Sequence, residues 1–233
     1  MPPLALGGYM EESVICGLRC LVRYPDNFDK SKKYPVLLHL HGAGSRGSDI
    51  NKLKENQIWP HVEKQNPPCV IFSPQCEAET VWFDHFERLK DFAKAILEFD
   101  FVDRDRYYLM GTSMGGYATW QLAMSLNTIF AAVLPICGGG MYWNSGRLKD
   151  TNLWAFHGEN DPVVRCEESV KMVNGINKRG GHAKLTVYPG TNHNAWDPTY
   201  SNPEVWEWML SQRLGKKEAL EDETASMDSK NFG

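Results

Sequence analysis

Short runs of apolar residues alternate along the chain with longer segments in which apolar residues recur every three or four positions. Several of the short runs are continuous stretches of Val, Leu, Ile and Phe, a pattern typical of strands that are buried on both faces. The predicted strands are 13–22, 36–40, 69–73, 107–110, 131–136, 153–157 and 184–188, and the predicted helices are 49–64, 83–98, 114–125, 166–179 and 203–214. This alternation predicts an α/β fold, with a mostly parallel, twisted sheet covered by helices on both faces.

The chain shows no internal repeat and no linker rich in Pro, Gly or Ser, so we expect one domain over residues 1–214. Residues 215–233 differ in composition, because they are rich in charged side chains and contain few bulky apolar ones. Such a segment buries too little surface to offset the entropy lost on ordering. We therefore expect a flexible, charged tail at 215–233.

The net charge of the chain excludes some classes of binding partner but does not indicate one. The 25 Lys and Arg residues against 29 Asp and Glu residues give a net charge of −4, which provides no basic surface for nucleic acid or anionic lipid. No apolar run approaches the ~20 residues that cross a bilayer, and the first residues do not resemble a secretory signal. We expect a cytoplasmic protein that binds neither nucleic acid nor membrane.

The six cysteines include no Cys-x-x-Cys pair and no spacing that suggests zinc. Scattered cysteines in a domain of this size are usually small core residues with reduced thiols. We therefore predict no metal site, although an even number of cysteines leaves a disulfide open as an alternative.

A strand, the sequence Gly111-Thr112-Ser113-Met114-Gly115 and a helical segment follow one another directly. Gly-x-Ser-x-Gly in this context predicts a sharp turn that exposes the serine hydroxyl, with small neighbours two positions away on either side. The same turn would place the Met114 amide at the start of the helix, where it can hold an oxyanion. We predict that Ser113 is a nucleophile rather than part of an ordinary glycine-rich connection.

A serine hydroxyl needs a base, and the base needs a carboxylate that orients it. Asp161 follows the strand 153–157, and His193 follows the strand 184–188, so both lie where sites assemble at the carboxyl ends of strands. The order Ser113, Asp161, His193 is the one that Gly-x-Ser-x-Gly hydrolases use. Glu159 is the alternative acid, but Asp161 precedes a proline that ends the turn, and we favour it.

The strand 36–40 runs into His41-Gly42-Ala43-Gly44-Ser45-Arg46-Gly47, where three glycines let the backbone turn and expose its amides. We predict that the Ala43 amide, with Gly44 as the alternative, is the second oxyanion donor beside Met114. A phosphate site is disfavoured, because the segment matches neither the P-loop nor Gly-x-Gly-x-x-Gly.

These motifs together resemble the α/β-hydrolase superfamily over about residues 13–214. Within it, the sequence is similar to the compact phospholipase/carboxylesterase and feruloyl-esterase-like branch, which includes predicted peptidases similar to prolyl oligopeptidase catalytic domains. The resemblance implies a Ser-His-Asp hydrolase of esters that needs no metal and no organic cofactor.

Few residues separate the strands 131–136 and 153–157, which leaves no room for a large cap domain. An open, shallow site suits soluble esters with small acyl groups better than long-chain lipids. We predict that Gly42, Gln75, Trp82 and Trp196 contact the substrate, because they lie in or beside the loops at the same edge of the sheet and aromatic rings can bind an aryl group or a sugar. For the Trp residues, the alternative is that they only cover the sheet.

The predicted function is a serine carboxylesterase that hydrolyses short-chain acyl or aryl esters, such as acetyl or feruloyl esters, through an acyl-enzyme. The expected partner is a small-molecule ester, and the protein is expected to be a monomer or a homodimer. Two alternatives remain open at this point: a small serine peptidase of the prolyl-oligopeptidase type, and a non-catalytic binding protein with a hydrolase fold.

Overall fold

A computed structural model describes residues 8–215. Its strands form one sheet in the order β1-β2-β4-β3-β5-β6-β7-β8. They are β1 (Tyr9–Ile15), β2 (Leu18–Tyr24), β3 (Tyr34–Leu40), β4 (Val70–Pro74), β5 (Val102–Thr112), β6 (Ala132–Ile136), β7 (Trp154–Gly158) and β8 (Lys184–Tyr188). Strand β2 runs antiparallel to both of its neighbours, and all other pairs are parallel. The prediction of a mostly parallel sheet is confirmed.

Helices cover both faces of this sheet. They are α1 (Asn51–Lys54), α2 (Ile58–Gln65), α3 (Phe86–Ile96), α4 (Met114–Ser125), α5 (Glu167–Asn177), α6 (Trp196–Ser201) and α7 (Pro203–Ser211). Helices α3, α4 and α5 pack on one face, where Phe92, Trp120 and Met172 are fully buried. The other helices pack on the opposite face through side chains such as Trp59 and Trp206.

The predicted strand over 13–22 was wrong, because this segment is a hairpin. Cys16 and Gly17 form its two-residue turn with φ values of 49° and 75°. A two-residue hairpin turn with positive φ at both positions matches the twist of the flanking strands. Cysteine is an unusual residue for the first of these positions, so the residue pattern does not indicate a turn here.

The predicted helix over 49–64 is divided into α1 and α2 by Asn56. The side-chain Nδ2 of Asn56 donates to Ser45 Oγ at 2.9 Å, and its side-chain Oδ1 accepts from the Ile58 N–H at 3.1 Å. Asparagine often ends helices in this way, because its side chain competes with the backbone for hydrogen bonds.

The prediction also missed α6, which ends where the Asn202 side chain caps α7.

The order of the strands changes direction around β3. The chain passes from β3 to β4 on one side and then returns to β5 on the other side. In the β3–β5 pair, Leu40 lies opposite Gly111, so the loops that follow the two strands leave the sheet side by side. Such a switch point is where α/β sheets form their binding crevices.

The described segment 8–215 contains no helix that is long and apolar enough to cross a membrane. The segment 137–153, which is too short for a large cap domain, contains a short 3₁₀ helix over Tyr142–Leu148. The predicted flexible tail over 215–233 lies outside the described residues, apart from Gly215.

Candidate active site

The serine of the Gly-x-Ser-x-Gly motif lies at a strained turn between β5 and α4. Ser113 has φ 54° and ψ −115°, a backbone conformation that residues other than glycine rarely adopt. Its backbone N–H donates to the carbonyl oxygen of Ile136 at 2.9 Å, which ties the turn to the end of β6. This conformation turns the side chain away from the sheet and into a cleft that Ser113 lines.

The two glycines of the motif are required by close packing rather than by their own φ angles. A Cβ on Gly115 would lie 2.0 Å from the carbonyl oxygen of Leu40, at the end of β3. A Cβ on Gly111 would lie 2.5 Å from the carbonyl oxygen of Gly115. Helix α4 therefore starts almost in contact with the strand ends, which fixes Ser113 beside the loop that follows β3.

Three side chains that are distant in sequence meet in one hydrogen-bonded chain. His193 Nε2 lies 2.8 Å from Ser113 Oγ, and His193 Nδ1 lies 2.7 Å from Asp161 Oδ2. The loop that carries His193 rests on the end of β7, where a Cβ on Gly158 would lie 2.0 Å from the carbonyl oxygen of Asn192. Serine hydrolases use this arrangement to make a hydroxyl nucleophilic.

Backbone amides hold the carboxylate of this chain in place. Asp161 Oδ1 accepts hydrogen bonds from the N–H groups of Val163 at 2.8 Å and Val164 at 2.9 Å, which leaves Oδ2 for His193. Burial alone would raise the pKa of Asp161, but the hydrogen bonds from His193 and the two amides outweigh it and lower this pKa. Asp161 is therefore an ionised partner for an imidazolium at neutral pH.

The alternative acid does not reach the histidine. Glu159 is exposed, and its Oε2 accepts a hydrogen bond from the Gly190 N–H at 2.9 Å. The Glu159 carboxylate therefore braces the turn after β8, while Asp161 faces His193.

The loop after β3 is held by a histidine whose protonation state follows from its partners. The Cys76 N–H donates to His41 Nε2 at 3.0 Å, so the proton of the ring is on Nδ1, which donates to the carbonyl oxygen of Gly42 at 2.6 Å. Burial lowers the pKa of His41 to about 4. The neutral ring thus holds the Gly42 carbonyl, and in a trans peptide the Ala43 N–H points the opposite way from this carbonyl.

Two of the four residues predicted to contact the substrate lie beneath this loop, so the prediction was wrong for them. Trp82 is only 1 % exposed, and its Nε1 donates to the carbonyl oxygen of His41 at 3.1 Å. The Gln75 amide donates to the carbonyl oxygens of Ser45 and Asp49 at 3.2 and 2.8 Å. These side chains satisfy buried backbone groups, a role that depends on contacts distant in sequence.

The other two residues do line the cleft beside Ser113. Both Gly42 and Trp196 form part of its wall. The Trp196 ring packs edge-on against the His193 ring at 5.5 Å between centroids. Trp196 therefore restricts the orientation of the imidazole as well as lining the cleft.

Comparisons with known proteins agree with this fold. A solved structure described as a thermostable esterase is 31% identical, superposes with a TM-score of 0.72, and aligns with 90% of this chain and 64% of its own. The feruloyl esterase module from Clostridium thermocellum superposes with a TM-score of 0.68 at 14% identity, over 89% of each chain. The chain has the α/β-hydrolase fold.

Sequence relatives come from two groups, feruloyl esterases and dipeptidyl-peptidases. A probable feruloyl esterase C of Aspergillus terreus is 25% identical over 171 residues, which are 72% of this chain and 63% of that protein. Dipeptidyl-peptidase 5 of Aspergillus oryzae is 22% identical over 88% of this chain and 34% of its own length. Residues 140–211 also match the model of the prolyl oligopeptidase family. The chain thus spans less than two thirds of these relatives.

The cleft of this hydrolase fold has a volume of about 580 Å³, and both polar and apolar residues line it. Ser113 and His193 line it together with Gly42, Ala43 and Gly44. Its lining also includes Lys52 of α1 and, in the turn before α2, Glu55, Asn56 and Gln57. These polar side chains offer both hydrogen-bond donors and acceptors to a molecule in the cleft.

A buried cysteine behind the serine was not predicted as part of the site. Cys137 has φ 41°, and its Sγ lies within 4.8 Å of ligand atoms of Asp161 and His193. A Cys, Asp and His set of this kind could bind a metal ion, but Asp161 and His193 already bind each other. Burial raises the pKa of the Cys137 thiol to about 12, so it is a neutral packing group under the turn. Its position directly after β6 was the only sequence signal.

Proposed function

We propose that this protein is a serine carboxylesterase in which Ser113, His193 and Asp161 form the catalytic triad. The observation that carries the proposal is the chain of two hydrogen bonds, 2.8 Å from His193 to Ser113 and 2.7 Å from His193 to Asp161. The esterase relatives and the hydrolase fold support the same chemistry.

In the first half of the reaction, Ser113 Oγ attacks the ester carbonyl carbon while its proton passes to His193 Nε2. The carbonyl oxygen becomes an oxyanion, which the Ala43 and Met114 N–H groups stabilise; one such donor is typically worth about 2.7 to 4 kcal/mol of barrier. The bond to the alcohol oxygen then breaks, and that oxygen takes the proton from His193. Asp161 stabilises the imidazolium throughout this half.

In the second half, a water molecule attacks the acyl-enzyme. His193 accepts the proton of the water, a second oxyanion forms in the same position, and the bond to Ser113 Oγ breaks as the proton returns to it. The products are the acid, the alcohol and the unchanged enzyme. Every proton transfer uses His193, so no metal or cofactor takes part in the proposed reaction.

A serine peptidase is the second candidate, because the match to the prolyl oligopeptidase family and the dipeptidyl-peptidase relatives favour it. The same triad cleaves amides, which are harder substrates because amines are poorer leaving groups than alcohols. We keep short-chain and aryl esters as the proposed substrates, since the site opens into a cleft with no large domain over it among the described residues.

One pair of substrates separates the two candidates. An aminoacyl ester and the anilide of the same amino acid are compared by kcat/KM with the wild type and Ser113→Ala. The proposal predicts that the ester is preferred strongly and that Ser113→Ala abolishes the turnover of both. Preference for the anilide would favour the peptidase, and full ester turnover by Ser113→Ala would refute both candidates.

A cytoplasmic location is part of the proposal. All six cysteines of the sequence lie among the described residues, and all six thiols are free. Free thiols are usual in a reducing compartment.

A further inference from the structure

The end of strand β7 carries a buried histidine that takes no part in the proposed proton transfers. His157 is 0% exposed, and its backbone lies in the sheet, opposite Val187 of β8. A buried imidazole needs a partner for each ring nitrogen, because a polar atom that loses water without a hydrogen bond costs free energy. The partners of this ring lead to the carboxylate of the triad.

One ring nitrogen of His157 faces the turn that carries Asp161. His157 Nε2 lies 2.9 Å from the carbonyl oxygen of Val164. A carbonyl oxygen can only accept, so Nε2 carries the ring proton and donates it to Val164. The same N–H group lies 3.4 Å from Asp161 Oδ2, close enough for its partial positive charge to attract the carboxylate.

The other ring nitrogen of His157 is held by the first turn of α5. Ser169 is buried there, and its Oγ lies 2.7 Å from His157 Nδ1. Burial lowers the pKa of His157, so the ring is neutral and Nδ1 has no proton. The Ser169 hydroxyl therefore donates to Nδ1, which fixes both the tautomer and the orientation of the ring.

These contacts hold both oxygens of the Asp161 carboxylate. Val164 accepts from His157 through its carbonyl oxygen, and its own N–H donates to Asp161 Oδ1 at 2.9 Å. Asp161 Oδ2 accepts from His193 Nδ1 at 2.7 Å, with His157 Nε2 as its other nitrogen neighbour at 3.4 Å. The side chains of His157 and Asp161 are both 0% exposed, so water does not screen their contact.

The same strand end also places the histidine of the triad. Gly158 follows His157 directly, and a Cβ on it would lie 2.0 Å from the carbonyl oxygen of Asn192, the residue before His193. The end of β7 therefore sets both members of the Asp161–His193 pair. Gly158 acts through close packing, and His157 acts through its side chain.

We propose that His157 is a positioning residue, which holds Asp161 Oδ2 at the point where this oxygen accepts from His193. The inference rests on the proposed esterase function. His157 does not line the cleft, so it acts on the reaction only through Asp161. Misplacing a group of the site by about 1 Å can slow a reaction by about 10²-fold.

Two amide substitutions separate this role from packing alone. In His157→Gln, the amide nitrogen reaches about as far as Nε2 and can still donate to Val164 and Asp161, while Ser169 can donate to the Gly138 carbonyl oxygen, 3.1 Å from its Oγ. In His157→Asn, the side chain is one methylene shorter. Its amide oxygen can accept from Ser169, but its nitrogen does not reach Val164 or Asp161. Both variants remove the ring and add no charge.

The amide pair is compared with the wild type on p-nitrophenyl acetate. For His157→Asn, we expect kcat to fall about 10- to 100-fold while KM stays within about twofold, because the substrate does not contact this residue. For His157→Gln, we expect kcat within about threefold of the wild type. Circular dichroism shows whether each variant is folded at the assay temperature.

Three outcomes would contradict the proposal. A wild-type kcat in His157→Asn would overturn it. Equal losses of kcat in the two variants would also overturn it, because the loss would then not follow the donor at the Nε2 position. A wild type that did not hydrolyse the ester would instead refute the esterase function, on which the role of His157 rests.

Nuclear magnetic resonance of the wild type tests the contact without a variant and without turnover. The ring N–H protons of His157 and His39 are followed as the pH is lowered until His193 is protonated. The imidazolium draws the negative charge of Asp161 Oδ2 towards itself, so we expect the His157 proton to move to higher field over the same pH range.

His39 is the matched control for this measurement, because it is equally buried but contacts Ser73 and Tyr200 instead of the triad. Its N–H proton should not move with the protonation of His193. A His157 proton that stayed as constant as that of His39 would overturn the proposal, even where His157→Asn did not fold.

Discussion

Asp161 binds two backbone amides with one carboxylate oxygen and His193 with the other. In Asp161→Asn, the amide oxygen can still accept from Val163 and Val164, so the turn should survive. The uncharged amide that faces His193 cannot stabilise an imidazolium. It also favours the imidazole tautomer in which Nε2 cannot accept the Ser113 proton. We expect kcat for an activated ester to fall by about 10⁴-fold with a small change in KM.

Glu159→Gln is the control for this prediction, because Glu159 lies two residues away and only braces the Gly190 amide. Its kcat should remain within about twofold of the wild type. A loss in Glu159→Gln that matched the loss in Asp161→Asn would contradict the assignment of the acid.

At the scale of single residues, the site residues that can be predicted from the sequence are those that directly follow strands. Ser113, Asp161 and His193 each follow a strand, and the ends of parallel strands meet at one edge of the sheet. Trp82 also lies near that edge, but its burial depends on the carbonyl of His41, which is 41 positions away. No local pattern distinguishes an aromatic ring that lines a cleft from one that supports a loop.

At the scale of elements, the serine turn depends on helix α4 and strand β3 being almost in contact. Gly115→Ala would bring a Cβ against the Leu40 carbonyl oxygen, which belongs to the rigid end of a central strand. We expect a loss of about 1 to 3 kcal/mol or more in the free energy of unfolding, and a melting temperature lower by several degrees. Thermal unfolding followed by circular dichroism measures this change.

Gly44→Ala is the matched control for the turn, because a Cβ at Gly44 would meet no atom within 4 Å among the described residues. Its stability should stay within about 0.5 kcal/mol of the wild type. Equal melting temperatures for Gly115→Ala and the wild type would contradict the close packing described here.

The elements themselves were predictable where their signals are local. The central strands are buried on both faces, so their apolar runs are unbroken, and helix α4 matches its predicted bounds. The hairpin of β1 and β2 was missed because Cys16 replaces the usual turn residues. The break between α1 and α2 was missed because the Asn56 amide bonds to Ser45, a contact that is set by the loop after β3.

At the scale of the whole molecule, buried histidines such as His39 and His41 make stability depend on pH. Burial lowers the pKa of His39 to about 3 and that of His41 to about 4, whereas an unfolded histidine has a pKa near 6.5. As the pH falls below about 6.5, the unfolded chain therefore binds protons that the folded chain does not. The free energy of unfolding should decrease by up to about 1.4 kcal/mol per pH unit for each histidine.

Urea unfolding of His39→Gln at several pH values between 4 and 7 tests this dependence. The slope of stability against pH should become shallower by up to about 1.4 kcal/mol per pH unit, whatever the stability at pH 7. Tyr200→Phe is the control, because it removes the hydroxyl 3.1 Å from His39 Nε2 but keeps the titrating ring. A wild-type slope in His39→Gln would contradict the prediction.

The central claim is that His193 activates Ser113, from which it is separated by 80 positions in sequence and 2.8 Å in space. The most direct measurement is the intact mass of the protein after reaction with diisopropyl fluorophosphate, with the modified residue located by peptide mapping. We predict one diisopropylphosphoryl group on Ser113 of the wild type, none on Ser113→Ala, and much slower labelling of His193→Ala. Labelling at another residue, or labelling of His193→Ala at the wild-type rate, would contradict the account.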